Sequence, residues 1–202
     1  RIVSLDFPIT QHESMRSENT MRANGILVMG GGSGSGNMQT YVEQLVKDFP
    51  TKKIVAVCGR NQRLFTMLAR NTAANLEVLG YMEHMEPVYE QVDIVVTKAG
   101  PTTIVEAVMY KKPLIITGWV GMQEKGNVDF VINSHVGYSC QNPHDVASYI
   151  IHIYAHYDLF VLEKPIFTNG TEKIVDYILT YSPTSWKAFY NNPNCSLSSF
   201  LS

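Results

Sequence analysis

The chain has 202 residues, 45% of them hydrophobic and 17% charged, which suits a large folded domain and excludes a disordered one. A formal net charge of −2 leaves no global basic field to gather nucleic acid or anionic lipid, although a local basic patch is compatible with it. Cys58, Cys140 and Cys195 are odd in number and dispersed, so neither a disulfide framework nor a C-x-x-C zinc site is indicated, and reduced thiols facing the cytosol or a stroma are the simple reading.

No apolar run approaches the roughly 20 residues needed to span a bilayer, and no signal-peptide pattern opens the chain. The first residue is Arg1, which fits a processed product or a fragment. Residues 1–23 mix polar groups with one apolar knot and read as a linker from an upstream domain. A regular pattern then begins. The β-rich runs are Ile26–Met29, Lys53–Cys58, Leu76–Leu79, Asp93–Thr97, Pro113–Thr117 and Gly137–Cys140. Helical periodicity fills the gaps. The clearest helix covers Asn37 to Phe49, where Met38, Tyr41, Val42, Leu45, Val46 and Phe49 form one apolar stripe. Further helices are expected over Gln62–Asn71, Glu83–Gln91, Thr102–Lys111, Glu124–Ser134 and His144–His156, with another over Thr171–Tyr181.

Strands alternating with helices imply βαβ units, a parallel sheet and right-handed crossovers. The runs IVAVC, DIVVT and PLIIT are continuously apolar, as expected of strands covered on both faces. The predicted fold is therefore α/β, a Rossmann-like parallel sheet with helices on both faces. It occupies residues 24–181, and residues 182–202 read as a tail.

The stretch VMGGGSGSGN places five glycines within residues 30–36, between the first apolar strand and its helix. At the carboxyl end of a strand in an open α/β sheet, such a loop brings backbone N–H groups to an anion at the next helix's start. A flexible turn is the bland alternative. The dinucleotide fingerprint fits poorly. From Gly30 and Gly32 its third glycine position falls on Ser35, and Cys58-Gly59-Arg60 after the second strand offers no acid for a ribose. A Walker loop fails too, because Asn37 and Met38 follow Gly36 where lysine and a hydroxyl residue are required. What survives is a phosphate cradle without lysine or metal.

The stretch TKAGPTTIVEAVMYKKPLI repeats the arrangement of strand end, turn and helix. Pro101 suits a first helical turn, and the amides around Thr102, Thr103 and Ile104 offer a second anion site. Glu106 follows on that helix, a carboxylate able to accept from sugar hydroxyls or an ordinary solvated glutamate. The next loop, GWVGMQEKGNVDFV, carries Gln123, Glu124 and Asn127 to the same edge, as sugar ligands or as solvated loop polarity. His152 and His156 have the i, i+4 spacing of metal ligands, but no third ligand is evident and packing or surface roles fit better.

Taken together, GGGSGSG, VCGRN, VLGYMEHMEPVYEQVDIVVTKAGPTTIVEA and GMQEKGNVDFV resemble the carboxyl-terminal half of the monogalactosyldiacylglycerol synthases. Those belong to the GT-B glycosyltransferases of family 28, with the bacterial diacylglycerol glucosyltransferases and the N-acetylglucosaminyltransferase of peptidoglycan precursor synthesis. The similarity covers about residues 24 to 155. It implies a UDP-hexose donor, with Gly31, Gly32, Ser33, Gly34, Gly100, Pro101, Thr102 and Thr103 against the diphosphate. Gly59, Arg60, Gly80, Tyr81, Met82, Met85 and Glu106 would serve the nucleoside, Glu106 at the ribose. Gln123, Glu124 and Asn127 would hold the donor sugar. Relatives usually have glycine where this chain has Thr102; that substitution matters if the backbone there must approach the phosphate closely, and little if the turn is helical.

The implied chemistry is inverting transfer of a hexose to a lipid hydroxyl such as that of diacylglycerol. No metal and no cofactor are expected, and the chain has no Asp-x-Asp pair. The general base is expected in an amino-terminal acceptor domain, in the same or a separate chain, so no catalytic residue is assigned. Expected partners are the UDP-sugar, a lipid acceptor, that acceptor domain and, peripherally, a membrane surface at the cytosolic face or plastid envelope; nucleic acid is not among them. The alternative is a non-catalytic nucleotide-sugar-binding subunit completing a membrane-bound partner. A UDP-sugar epimerase of similar architecture is a third reading.

Overall fold

The computed structural model describes residues 24–31, 37–160 and 175, and the fold below rests on these. Six strands alternate with helices: β1 (Gly25–Met29), α1 (Met38–Asp48), β2 (Lys53–Val57), α2 (Gln62–Leu68), β3 (Leu76–Leu79) and α3 (Glu86–Glu90). There follow β4 (Ile94–Thr97), α4 (Pro101–Met109), β5 (Leu114–Ile116), a 3-10 turn (Met122–Glu124), α5 (Lys125–Asn133), β6 (Gly137–Ser139), α6 (Val146–Ala155) and α7 (Tyr157–Phe160). All five pairings are parallel, in the order β3-β2-β1-β4-β5-β6. The chain thus winds outward from β1 to one edge, returns to the centre, and winds outward again from β4.

Alternation along the strands sorts the core into two layers. Ile26, Val28, Ile54, Ala56, Ile94, Val96 and Ile115 face α1, α2 and α6, where Tyr41, Val42, Leu45, Leu68 and Ile150 close the layer. Leu27, Val55, Val57, Val95, Leu114 and Ile116 face α3, α4 and α5, meeting Tyr89, Ile104, Ala107 and Val131. Both faces are covered, which is why these strands read as unbroken apolar runs. The α1 stripe packs as its spacing requires, with Met38, Tyr41, Val42 and Leu45 buried and Lys47 in the last turn.

Every predicted strand is present, with ends shifted by one residue or less. The helix expected from Glu83 begins at Glu86, with Pro87 in its first turn, where a residue lacking N–H is tolerated. The helix expected to reach Asn71 ends at Leu68, and the one expected from His144 starts at Val146. Asp93 stays outside β4: its carboxylate accepts from the Asn24 N–H (2.8 Å) and the Tyr154 hydroxyl (3.3 Å) at the amino-terminal edge of the sheet. The expected segments 1–23 and 182–202, and the helix over Thr171–Tyr181, lie outside the described residues apart from Val175.

Candidate functional site

The candidate side chains gather at the opposite, carboxyl-terminal edge. Met29 of β1 is the register partner of Thr97 of β4, and Thr97 pairs in turn with Ile116 of β5. The loops that leave β1, β4 and β5 therefore emerge side by side at the point where the strand order reverses, the crevice where open α/β sheets bind ligands. Gly31 turns the first loop with φ +72°, a conformation that favours glycine. The rest of the glycine cradle, Gly32, Ser33 and Gly34, lies outside the described residues.

The second turn is locked to its neighbours by backbone and amide bonds. Ala99 N–H donates to the Gly118 carbonyl (2.8 Å), and Thr117 N–H donates to Thr97 (2.8 Å). Gly100 caps α4 in extended conformation, and Pro101 occupies the first turn. Thr102 is already helical and exposed, so its backbone conformation does not require glycine; Thr103 is buried.

Of the three residues expected at a donor sugar, Gln123 is exposed in the 3-10 turn. Asn127 is half-buried, and its Nδ2 donates to the Ala99 carbonyl (2.8 Å), tying α5 to the Ala99–Gly100 turn. The Glu124 carboxylate accepts from the Lys98 ammonium (2.8 Å) and the Val120 N–H (2.8 Å). Burial alone would raise the Glu124 pKa, but these two hydrogen bonds and the Lys98 charge outweigh it and hold the carboxyl below its usual range. Beside this pair lies a cavity of about 310 Å³, whose walls include Val28, Met38, Tyr41, Lys98, Trp119 and Gln141.

Glu106, Met82 and Met85, among the nucleoside candidates, fall on the α3–α4 side of the sheet. Glu106 stands on the second turn of α4 and accepts from the Tyr89 hydroxyl of α3 (2.9 Å). Tyr89 is fully buried and stacks on Tyr110 with ring centroids 4.9 Å apart. Burial raises the Glu106 pKa, the Tyr89 bond partly offsets this, and the nearby Glu86 charge adds to it. Met82 and Met85 are half-buried against the same core layer. Arg60 lies over the ring of exposed Tyr81, 4.7 Å from its centroid, which brings the loops after β2 and β3 together. Gly59 has φ +58°, and Gly80 is half-buried with open space beside its Cα.

Three side chains that spacing did not single out complete this edge. Lys98 follows a core strand, Tyr89 is the partner of Glu106, and Trp119 walls the cavity. Lysine at the end of an apolar strand was the available signal for the first. His152 packs its ring against Tyr138 and Phe160, and His156 Nδ1 lies 3.1 Å from the His152 carbonyl. Among the described residues no three His, Cys, Asp or Glu side chains are grouped to hold a metal.

Sheet order and a polar, glycine-turned crevice at its reversal point define a Rossmann-like domain. Residues 25–125 match the glycosyltransferase family 28 C-terminal domain, and the chain belongs to that family. Monogalactosyldiacylglycerol synthase 2, chloroplastic, of Arabidopsis thaliana is 32% identical over 143 residues, covering 67% of this chain and 30% of that protein. The chain spans less than a third of the length of the curated relatives it matches.

Among solved structures, Acinetobacter baumannii MurG matches with a TM-score of 0.60 at 22% identity, covering 81% of this chain and 52% of that one. The Neisseria meningitidis UDP-GlcNAc 2-epimerase bound to UDP-GlcNAc matches with a TM-score of 0.58 at 17% identity, over 77% of this chain and 44% of that one. At such identities the likeness is one of fold. No helix among the described residues is long and apolar enough to cross a membrane.

Proposed function

We propose that this chain is the donor-binding half of a glycosyltransferase that moves a hexose from a UDP-sugar to a lipid hydroxyl such as that of diacylglycerol. The observation that carries the reading is the juxtaposition of two turns, at Gly31 and Gly100–Thr103, across the β1/β4 junction, with Glu106 presented on the helix that the second turn begins. Backbone amides at these turns suit a diphosphate. The Glu106 carboxylate suits ribose hydroxyls, and Gln123, Glu124 and Asn127 form the polar lip for the hexose. Sequence similarity to the galactolipid synthases supports a lipid acceptor, and the epimerase of like fold is itself bound to UDP-GlcNAc.

In the proposed reaction the acceptor oxygen attacks the anomeric carbon from the face opposite UDP, inverting that centre. Its proton passes to a base on the acceptor domain, and the bonding pair of the broken C–O bond leaves on the β-phosphate. Electrostatic stabilisation of that departing charge is the largest contribution asked of this half, supplied by amides and side chains without a metal. A peripheral membrane location, cytosolic or at a plastid envelope, follows from the acceptor.

Calorimetric titration of the purified chain with UDP, in the absence of magnesium, tests the reading. UDP binding is expected, and Glu106→Ala should weaken UDP more than uracil. No detectable UDP binding contradicts it. Because an epimerase shares this fold, incubation with UDP-sugar and no lipid is a useful companion; the proposal expects no epimerised sugar.

A further inference from the structure

The glycine cradle lacks the lysine that a Walker loop carries on its own helix; the fold supplies one from a different strand. Lys98 is the first residue beyond β4, whose last residue, Thr97, pairs with β1 on one side and β5 on the other. Its side chain runs between the two glycine turns. A Cβ on Gly31 would sit 3.1 Å from Lys98 Cε, and one on Gly100 would sit 3.6 Å from Lys98 Nζ. The Lys98 side chain is 23% exposed and that of Glu124 12%, and Lys98 lines the cavity of about 310 Å³.

A strut holding the Glu124 turn to the sheet would need only the ion pair. It would not need the lysine side chain to lie against Gly31 and Gly100. An ammonium has three N–H donors. Glu124 Oε1 takes one, and it is the hydrogen-bonding partner of Lys98 Nζ among the described residues. The remaining donors of a half-desolvated cation beside Gly31 and Gly100 match a phosphate group.

We infer that Lys98 is the cation that meets the donor's diphosphate, with Glu124 holding the ammonium in place between the two turns. The inference rests on the donor-site reading above and names the charged partner for the diphosphate that it did not specify.

The test is titration of the purified chain, and of its Lys98→Met and Lys98→Arg variants, with uridine, UMP and UDP. Lys98→Met is expected to lose about tenfold or more in UDP affinity, the scale of a hydrogen bond to a charged group. Its uridine affinity should stay within about twofold, and Lys98→Arg should retain most of the UDP affinity. The UDP affinity of the unaltered chain should also fall with added salt more steeply than that of Lys98→Met. An unchanged ratio of UDP to uridine affinity in Lys98→Met overturns the inference and leaves Lys98 as a strut. So does an equal loss for uridine and UDP, which is what a folding defect would give. An unaltered chain that binds neither uridine nor UDP defeats the donor-site reading itself, and the inference with it.

Discussion

Glu106 shows how one side chain is placed at a cost to stability. Burial is the main reason its pKa rises above the ordinary 4.5, with the Glu86 charge adding and the Tyr89 hydroxyl opposing. A folded-state pKa above the unfolded one means that the fold prefers the protonated carboxyl. The stability this contributes is full below about pH 4.5 and is lost as pH rises through the raised value. Above that range the contribution is gone, and Glu106→Gln should raise the thermal midpoint at about pH 7 but not at about pH 4. The same variant should weaken UDP, since a neutral amide is a poorer acceptor for two ribose hydroxyls; melting curves and titrations on one preparation separate the two effects. Gly31→Ala should fail on both counts. Its φ of +72° and the Lys98 Cε at 3.1 Å from the new Cβ predict a loss of about 1–2 kcal/mol in urea denaturation, with weaker UDP binding. Glu106 and the two turns were legible in the sequence because a strand end, Pro101 and helical spacing locate them. Tyr89 and Lys98 were not. The first meets its partner only through packing of α3 on α4, and the second stands on a different strand from the loop it serves.

At the scale of elements, apolar patterning carried most of the information. Strand limits were readable because β2, β4 and β5 are buried on both faces, so each shows as a mainly apolar run rich in Ile and Val. Helix ends were less readable because they depend on caps and individual side chains. Asn61 caps α2 by accepting from Leu64 N–H (2.9 Å), and Pro87 delays α3 to Glu86. Leu45, fully buried on α1 in the layer that backs β1, should cost about 2–5 kcal/mol when replaced by alanine, read as a lower urea midpoint. Asn75 ties three carbonyls together, those of Val46, Phe49 and Lys52, at the junction between α1 and β2. Asn75→Ala should cost about 1–3 kcal/mol by the same assay while leaving UDP affinity unchanged, because this knot lies away from the carboxyl-terminal edge.

Over the whole molecule, the structure divides its labour between the two ends of one sheet. Asp93, Asn24 and Tyr154 tie down the amino-terminal edge, while the loops after β1, β4 and β5 leave a polar crevice at the other. A net charge of −2 provides no general attraction for a nucleotide diphosphate, so local groups must supply it. The central claim is that this crevice holds UDP. Its most direct test is magnesium-free calorimetry of UDP against the unaltered chain and Glu106→Ala. The account predicts saturable binding that falls by about tenfold in the variant, the scale of a charged hydrogen bond, while uracil is little affected. No UDP binding by the unaltered chain, or equal affinity in the variant, would contradict it.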